Sequence, residues 1–211
     1  MMHKSYLPRA LAAAAISILF SGPVFCAQNT DPSWPCIQRK VPSLSLGQIW
    51  NGPELPLAAA NWSKDPVVSA LVRELAARRL PVAEAEMAIL SFAKSQSADE
   101  LSARMAMLAQ GLFDHMNAER SHVISGIARY AQNQLAMAAR LRAEASTLGA
   151  LRAKPDADAN ELITRTEQMA LQTRIFDERV QSLTYVCEVP TLIEQRLYSL
   201  SKTIAKSMPP R

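Results

Sequence analysis

No proline stands between Pro81 and Pro155. Proline ends helices because it lacks an N–H and its ring collides with the preceding turn, so this gap leaves room for one uninterrupted helix from residue 98 to about 152. At 1.5 Å per residue that is on the order of 80 Å. Ser97 and Glu100 have the spacing of a capping box and mark its start. Gly111, Gly126 and Gly149 weaken such a helix without ending it. A rod of this length cannot bury its apolar residues by itself. The sequence supplies a partner: Leu162, Thr166, Met169, Thr173, Phe176, Val180, Leu183 and Cys187 alternate in steps of four and three, which sets one stripe of a second long helix aside for packing. On the first rod, Ile124, Ala128, Ala131, Leu135, Ala138, Ala145 and Leu148 form the facing seam, and its small residues allow close approach.

If the two rods pivot near residues 155 and 156, each step away from the turn on one side matches a step on the other, and Cys187 lies level with about residue 124. Residues 124–187 are then a hairpin. The earlier half of the first rod, 98–123, outruns its partner and needs other cover. Two short helices can provide it: 66–79, capped by Asp65 with Pro66 in its first turn, and 81–95, with Ala85, Ala88, Ile89 and Phe92 inward. The second rod is expected over 158–188. Pro190 then opens a last helix, 190–207, with Leu192, Ile193, Leu197, Leu200 and Ile204 as its apolar face. The fold expected is all-α: a small helical bundle, residues 66–211, from which a long antiparallel coiled-coil hairpin projects.

The N-terminal part reads differently. His3, Lys4 and Arg9 precede an apolar run, Ala10 to Phe20, and Gly22 and Pro23 break it before Cys26 and Ala27, the pattern of a secretory signal over residues 1–26. Lipidation at Cys26 is a second reading, and Phe25 fits it poorly. Removing Lys4 and Arg9 lowers the formal charge from +4 to +2. No dense basic stripe then remains, and Arg78 with Arg79 and Arg140 with Arg142 are isolated pairs, so nucleic acid is not an expected partner. Residues 27–65 carry five prolines, Pro32, Pro35, Pro42, Pro53 and Pro56, and all three tryptophans, Trp34, Trp50 and Trp62. This segment is expected to lie extended along the helices with its indoles as anchors. In an exported chain Cys36 and Cys187 are natural disulfide partners. No CxxC motif accompanies them, which favours a structural bond over a redox pair. The chain is expected to be periplasmic or secreted, with no membrane span once the leader is gone.

Three features could carry chemistry. His115, Glu119 and His122 step by four and three along one edge of the long helix, and with Met105 or Met116 nearby they could hold a single zinc, copper or nickel ion. The ordinary reading is a polar border to the packed face. The second feature is Asp156 to Glu167, which matches a calcium loop at Asp156, Asp158, Asn160 and Glu167. Its sixth place is Glu161 where glycine is needed, so Asp158 reads better as a helix cap. The third would be an enzyme site, but no nucleophile elbow or phosphate-cradling glycine loop occurs, and neither catalysis nor a cofactor is expected. Two functions fit: a non-enzymatic scaffold that binds a protein partner or its own copy through the hairpin, or an envelope metal-binding or metal-sensing protein using His115, Glu119 and His122.

Overall fold

The computed structural model describes residue 31 and residues 34–209; the expected leader, 1–26, lies outside them. Among the described residues there is no strand. The elements in chain order are α1 (Leu46–Ile49), a 3-10 helix (Leu57–Lys64), α2 (Pro66–Ala76), α3 (Val82–Lys94), α4 (Ala98–Arg152) and α5 (Ala159–Ser207). The all-helical architecture and the pairing of two long helices agree with the sequence pattern.

The helix starts show how local chemistry sets the boundaries. One Asp65 carboxylate oxygen accepts from the Val67 and Val68 amides, both at 3.0 Å, and Pro66 occupies the first turn, where its missing N–H costs nothing. The start of α4 differs from expectation. The Ser97 hydroxyl donates to the Glu100 carboxylate at 3.3 Å rather than capping a backbone amide.

A larger difference lies at Pro190. Where the sequence suggests one helix ending at 188 and another opening at 190, α5 runs unbroken with Pro190 inside it. An interior proline removes one backbone bond and costs roughly 3 kcal/mol. Tertiary contacts hold both halves in line: Cys187 is bonded to Cys36 on one side, and Ile193, Leu197, Leu200 and Ile204 are fully buried on the other. Val186, whose carbonyl loses the backbone bond, lies on an exposed side of the helix.

These four residues of α5 belong to the main core. They pack with Val68, Val72 and Leu75 of α2, Ala85 and Ile89 of α3, and Met105, Leu108, Leu112 and Met116 of α4. Arg196 is buried among them. Its guanidinium donates to the carbonyls of Leu75 and Leu80 at 2.8 and 2.7 Å, which satisfies the C-terminal end of α2 and the following loop. Burial pushes its pKa down from the ordinary arginine value.

The Pro/Trp-rich arm lies along this head, extended except where α1 and the 3-10 helix interrupt it. The 3-10 helix forms where Leu57–Lys64 offers proline-free chain between Pro56 and Pro66. All three indole N–H groups are satisfied, by Gln38 O for Trp34, Pro53 O for Trp50 and the Asp114 carboxylate for Trp62. Trp62 presses on Gly111 so closely that a Cβ there would sit 2.7 Å from the indole. Gly111 thus serves close approach rather than helix flexibility. Proline keeps the arm from pairing as a strand, and side chains of α4 replace the missing backbone partners. The Asn117 amide bonds both the N–H and the C=O of Leu44, Arg120 donates to Val41 O at 2.8 Å, and Ser121 donates to Pro42 O at 2.8 Å.

Candidate interaction surface

Beyond the head, α4 and α5 continue as a pair to the turn at residues 153–158. The turn closes through Ala153 N to Gly149 O and Ala157 N to Lys154 O, at 3.2 and 3.4 Å, and among the described residues no φ is positive. The register follows the expected pivot. Cys36, Cys187, Ile124 and Ile127 cluster with Trp34, so Cys187 does stand level with residue 124. Nearer the tip, Tyr130 donates to Arg179 O at 3.2 Å and Arg165 grips Glu144 at 2.9 Å.

The Cys36 and Cys187 sulfurs lie 2.04 Å apart and their Cα atoms 5.5 Å apart, with both residues buried. The bond fastens the arm to the foot of the hairpin across 151 residues of sequence.

Metal ligation fares differently. His115, Glu119 and His122 share an edge of α4 as their spacing requires, but Glu119 faces Arg78 at 3.7 Å and His122 is exposed. A cation within reach of the one carboxylate of the set opposes a second cation there. Among the described residues no three His, Cys, Asp or Glu side chains stand close enough to share an ion. His115 and Glu119 instead border a shallow groove of about 350 Å³ with Arg73, Arg78 and Arg79, a cation-rich surrounding. Met105 and Met116 point into the core and are fully buried.

The calcium alternative is likewise not assembled. Asp158 caps α5, accepting from the Asn160 and Glu161 amides at 2.8 and 3.4 Å, and Asn160 and Glu167 already belong to the helix. The residues that would have to wrap an ion as a loop are wound into a rod, because a helix start gives the Asp158 carboxylate two donors at once.

What the structure does present is an unusual hairpin surface. From Ala159 to Val186, α5 has no fully buried residue, and in the same reach α4 buries only Ile127, Ala131, Gln134, Met137 and Leu148. Ile163, Leu171 and Val180 on α5 are 56%, 50% and 44% exposed, and Leu135 on α4 is 49% exposed. Two helices have only one seam to share, so their flanks stay open.

The two flanks are not alike. On one, Arg165 bonds Glu144 and Glu161 together, closing a polar groove of about 800 Å³. Hydrogen bonds from Arg165 hold the Glu144 carboxyl below its ordinary pKa, and the two carboxylates push Arg165 upward. The other flank has a groove of about 540 Å³ floored by Leu148, Met169, Ala145, Ala170 and Thr173. Asp177 lines it with Arg152 and Arg174, and Arg142 and Glu167 stand one turn from its lining residues Ala145 and Ala170. Arg142, Glu167 and Asp177 are exposed and, among the described residues, have no ion-pair partner.

Charge also divides by limb. Residues 124–154 hold five cations and one anion, a net of +4, whereas 156–187 hold six anions and three cations, a net of −3. This signal stands in the sequence. It is invisible when Arg140 and Arg142 are read as an isolated pair, and it emerges once the limbs are counted separately around the pivot. The chain matches no family model, no curated protein and no solved structure. Among the described residues no helix is long and apolar enough to cross a membrane.

Proposed function

We propose that this protein is a non-enzymatic helical interaction or scaffold protein of the periplasm or the secreted fraction, whose hairpin is the surface offered to a protein partner. The observation that carries this reading is the contrast within α5. Its last part is locked into the core, yet Ala159–Val186 keeps no side chain fully buried while retaining Ile163, Leu171 and Val180 at the surface. Apolar residues in that state are ordinary one at a time, but along one slender element they suit helix-on-helix recognition. The disulfide supports work outside the cytoplasm, where such bonds persist. The basic leader and its apolar run support export by the same route.

Photo-crosslinking in cells tests the reading. A crosslinkable residue at Leu171 or Val180 is expected to give discrete protein adducts, whereas one at Met87 on the exposed side of α3 gives few. Adducts from Met87 alone would move the interaction surface to the head and overturn the proposal.

A further inference from the structure

The partner can be specified further, on the basis of the interaction reading above. We infer that the Leu148–Met169 flank of the hairpin binds the same flank of a second copy, with a two-fold axis running along the hairpin.

The argument begins with symmetry. An interface between identical copies uses one patch twice, so the patch must be complementary to itself. Rotation by a half turn about the long axis of a hairpin exchanges its two limbs. The α4 limb of one copy therefore lies over the α5 limb of the other, the tips remain at the same end, and every neighbouring pair of helices runs antiparallel, as in a four-helix bundle. With a net of +4 on one limb and −3 on the other, the four helices then alternate in sign around the bundle. The other simple face-to-face arrangement, with the axis across the hairpin, stacks α4 on α4 and α5 on α5, setting like charge against like.

The choice of flank follows from what is left unpaired. On the Arg165 flank the arginine is already paired with Glu144 and Glu161. On the opposite flank Arg142 stands one turn before Ala145, and Glu167 stands one turn before Ala170, both of which line the groove. Arg142 is level with about residue 169 in the register set by the turn. A half turn along the axis preserves level, so Arg142 comes opposite Glu167 of the partner subunit, and the reciprocal pair forms at the same time. Between these rails lie Ala145, Ala170 and Thr173, small enough for helices to approach closely. The limbs beyond residue 124 are about 45 Å long and two helices wide, which gives roughly 800 Å² per copy, the size of a standard specific interface.

Charge exchange tests this directly. The mature oxidised protein at about 100 μM in low salt is expected to sediment as a dimer, weakening as salt is raised. Arg142→Glu and Glu167→Arg each place like charges opposite one another twice per dimer, and each alone is expected to weaken self-association about tenfold. Mixed one to one, the two variants restore both pairs, and the mixture is expected to regain wild-type affinity as a heterodimer. Circular dichroism on each variant confirms that the helices persist. A monomer at 100 μM in low salt, or a dimer indifferent to the two variants, or a mixture that fails to recover, overturns the inference. A monomer that still yields hairpin crosslinks to a different protein overturns only the identity of the partner. Crosslinks confined to the head overturn the reading beneath it.

Discussion

Helix α4 passes through two environments, and the contrast between them separates what folds this chain from what the chain displays. Over Met105 to Ile127 it buries apolar side chains on nearly every turn, surrounded by α2, α5 and the arm with its 3-10 helix. Beyond Ile127 the same helix meets, among the described residues, only α5, its burial falls to Ala131, Gln134, Met137 and Leu148, and one of those four is an amide. The Gln134 side chain is buried with neither its nitrogen nor its oxygen bonded to protein. A polar group in that state costs stability, and its best attested use in paired helices is to fix register. The head therefore supplies the cooperativity of folding, and the hairpin inherits its order by continuity from the two helices anchored there.

The largest expected effect tests that division. Leu108→Ala in the head removes a fully buried side chain and is expected to lower unfolding stability by 2–5 kcal/mol, roughly the range for well-packed cores. Leu183→Ala at the half-exposed hairpin seam is expected to cost about 1 kcal/mol, since less area leaves water. Urea denaturation of the two variants measures the difference. Equal losses would show that the hairpin folds as part of one uniform core.

The bond between the two regions comes next. Replacing Cys36 and Cys187 together by serine, or reducing them, frees a loop of 151 residues and is expected to cost about 2–4 kcal/mol. The loss should be accompanied by a change in fluorescence from Trp34, which packs beside the bond. An unchanged stability with unchanged emission would mean that Arg120, Asn117 and Ser121 hold the arm without the sulfurs.

A smaller effect is expected at Gly111. Alanine improves helix propensity by about 1 kcal/mol but drives a methyl group into the Trp62 indole, at roughly 1–3 kcal/mol. The net expectation is a loss of about 1 kcal/mol, removed when Trp62→Leu is combined with it. Additivity of the two changes would show that the close approach does not matter.

Much of this architecture was legible because its determinants are periodic. The four-three stripe ending on Cys187 and the proline gap before Pro155 each speak for a long helix, and together they fix a register that brings Cys187 to residue 124. The pairing with Cys36 follows instead from the export pattern, which leaves these two as the remaining cysteines. Pro190 departs from the local expectation for a physical reason: tertiary contacts outweigh the proline's helix-breaking tendency, since both flanks of that residue are anchored. His115, Glu119 and His122 showed correct helical spacing, but spacing on one helix says nothing of what the neighbouring element brings, and α2 with its following loop brings Arg78. Asp158 could be weighed correctly as a cap because that competition is local. The unequal flanks of the hairpin were not legible, because they depend on which carboxylates Arg165 reaches across the seam.

The smallest effect sharpens the distinction between those flanks. Arg165 holds the Glu144 carboxyl below its ordinary value of 4.5 chiefly through a direct hydrogen bond. A carboxyl depressed in the folded chain contributes stability that is complete above its unfolded value and is lost as pH falls through the folded one. The tip of the hairpin is therefore expected to exchange its backbone amides faster as pH drops below about 4.5, after correction for intrinsic exchange, while the head remains protected. Glu144→Gln removes the charge but not the side chain's reach, and is expected to give the faster, pH-independent exchange already at neutral pH. Because this pair is solvated, the change should be confined to residues near the turn and should diminish in high salt. An acid-induced loosening that persists in Glu144→Gln would place its origin away from the Arg165–Glu144 pair.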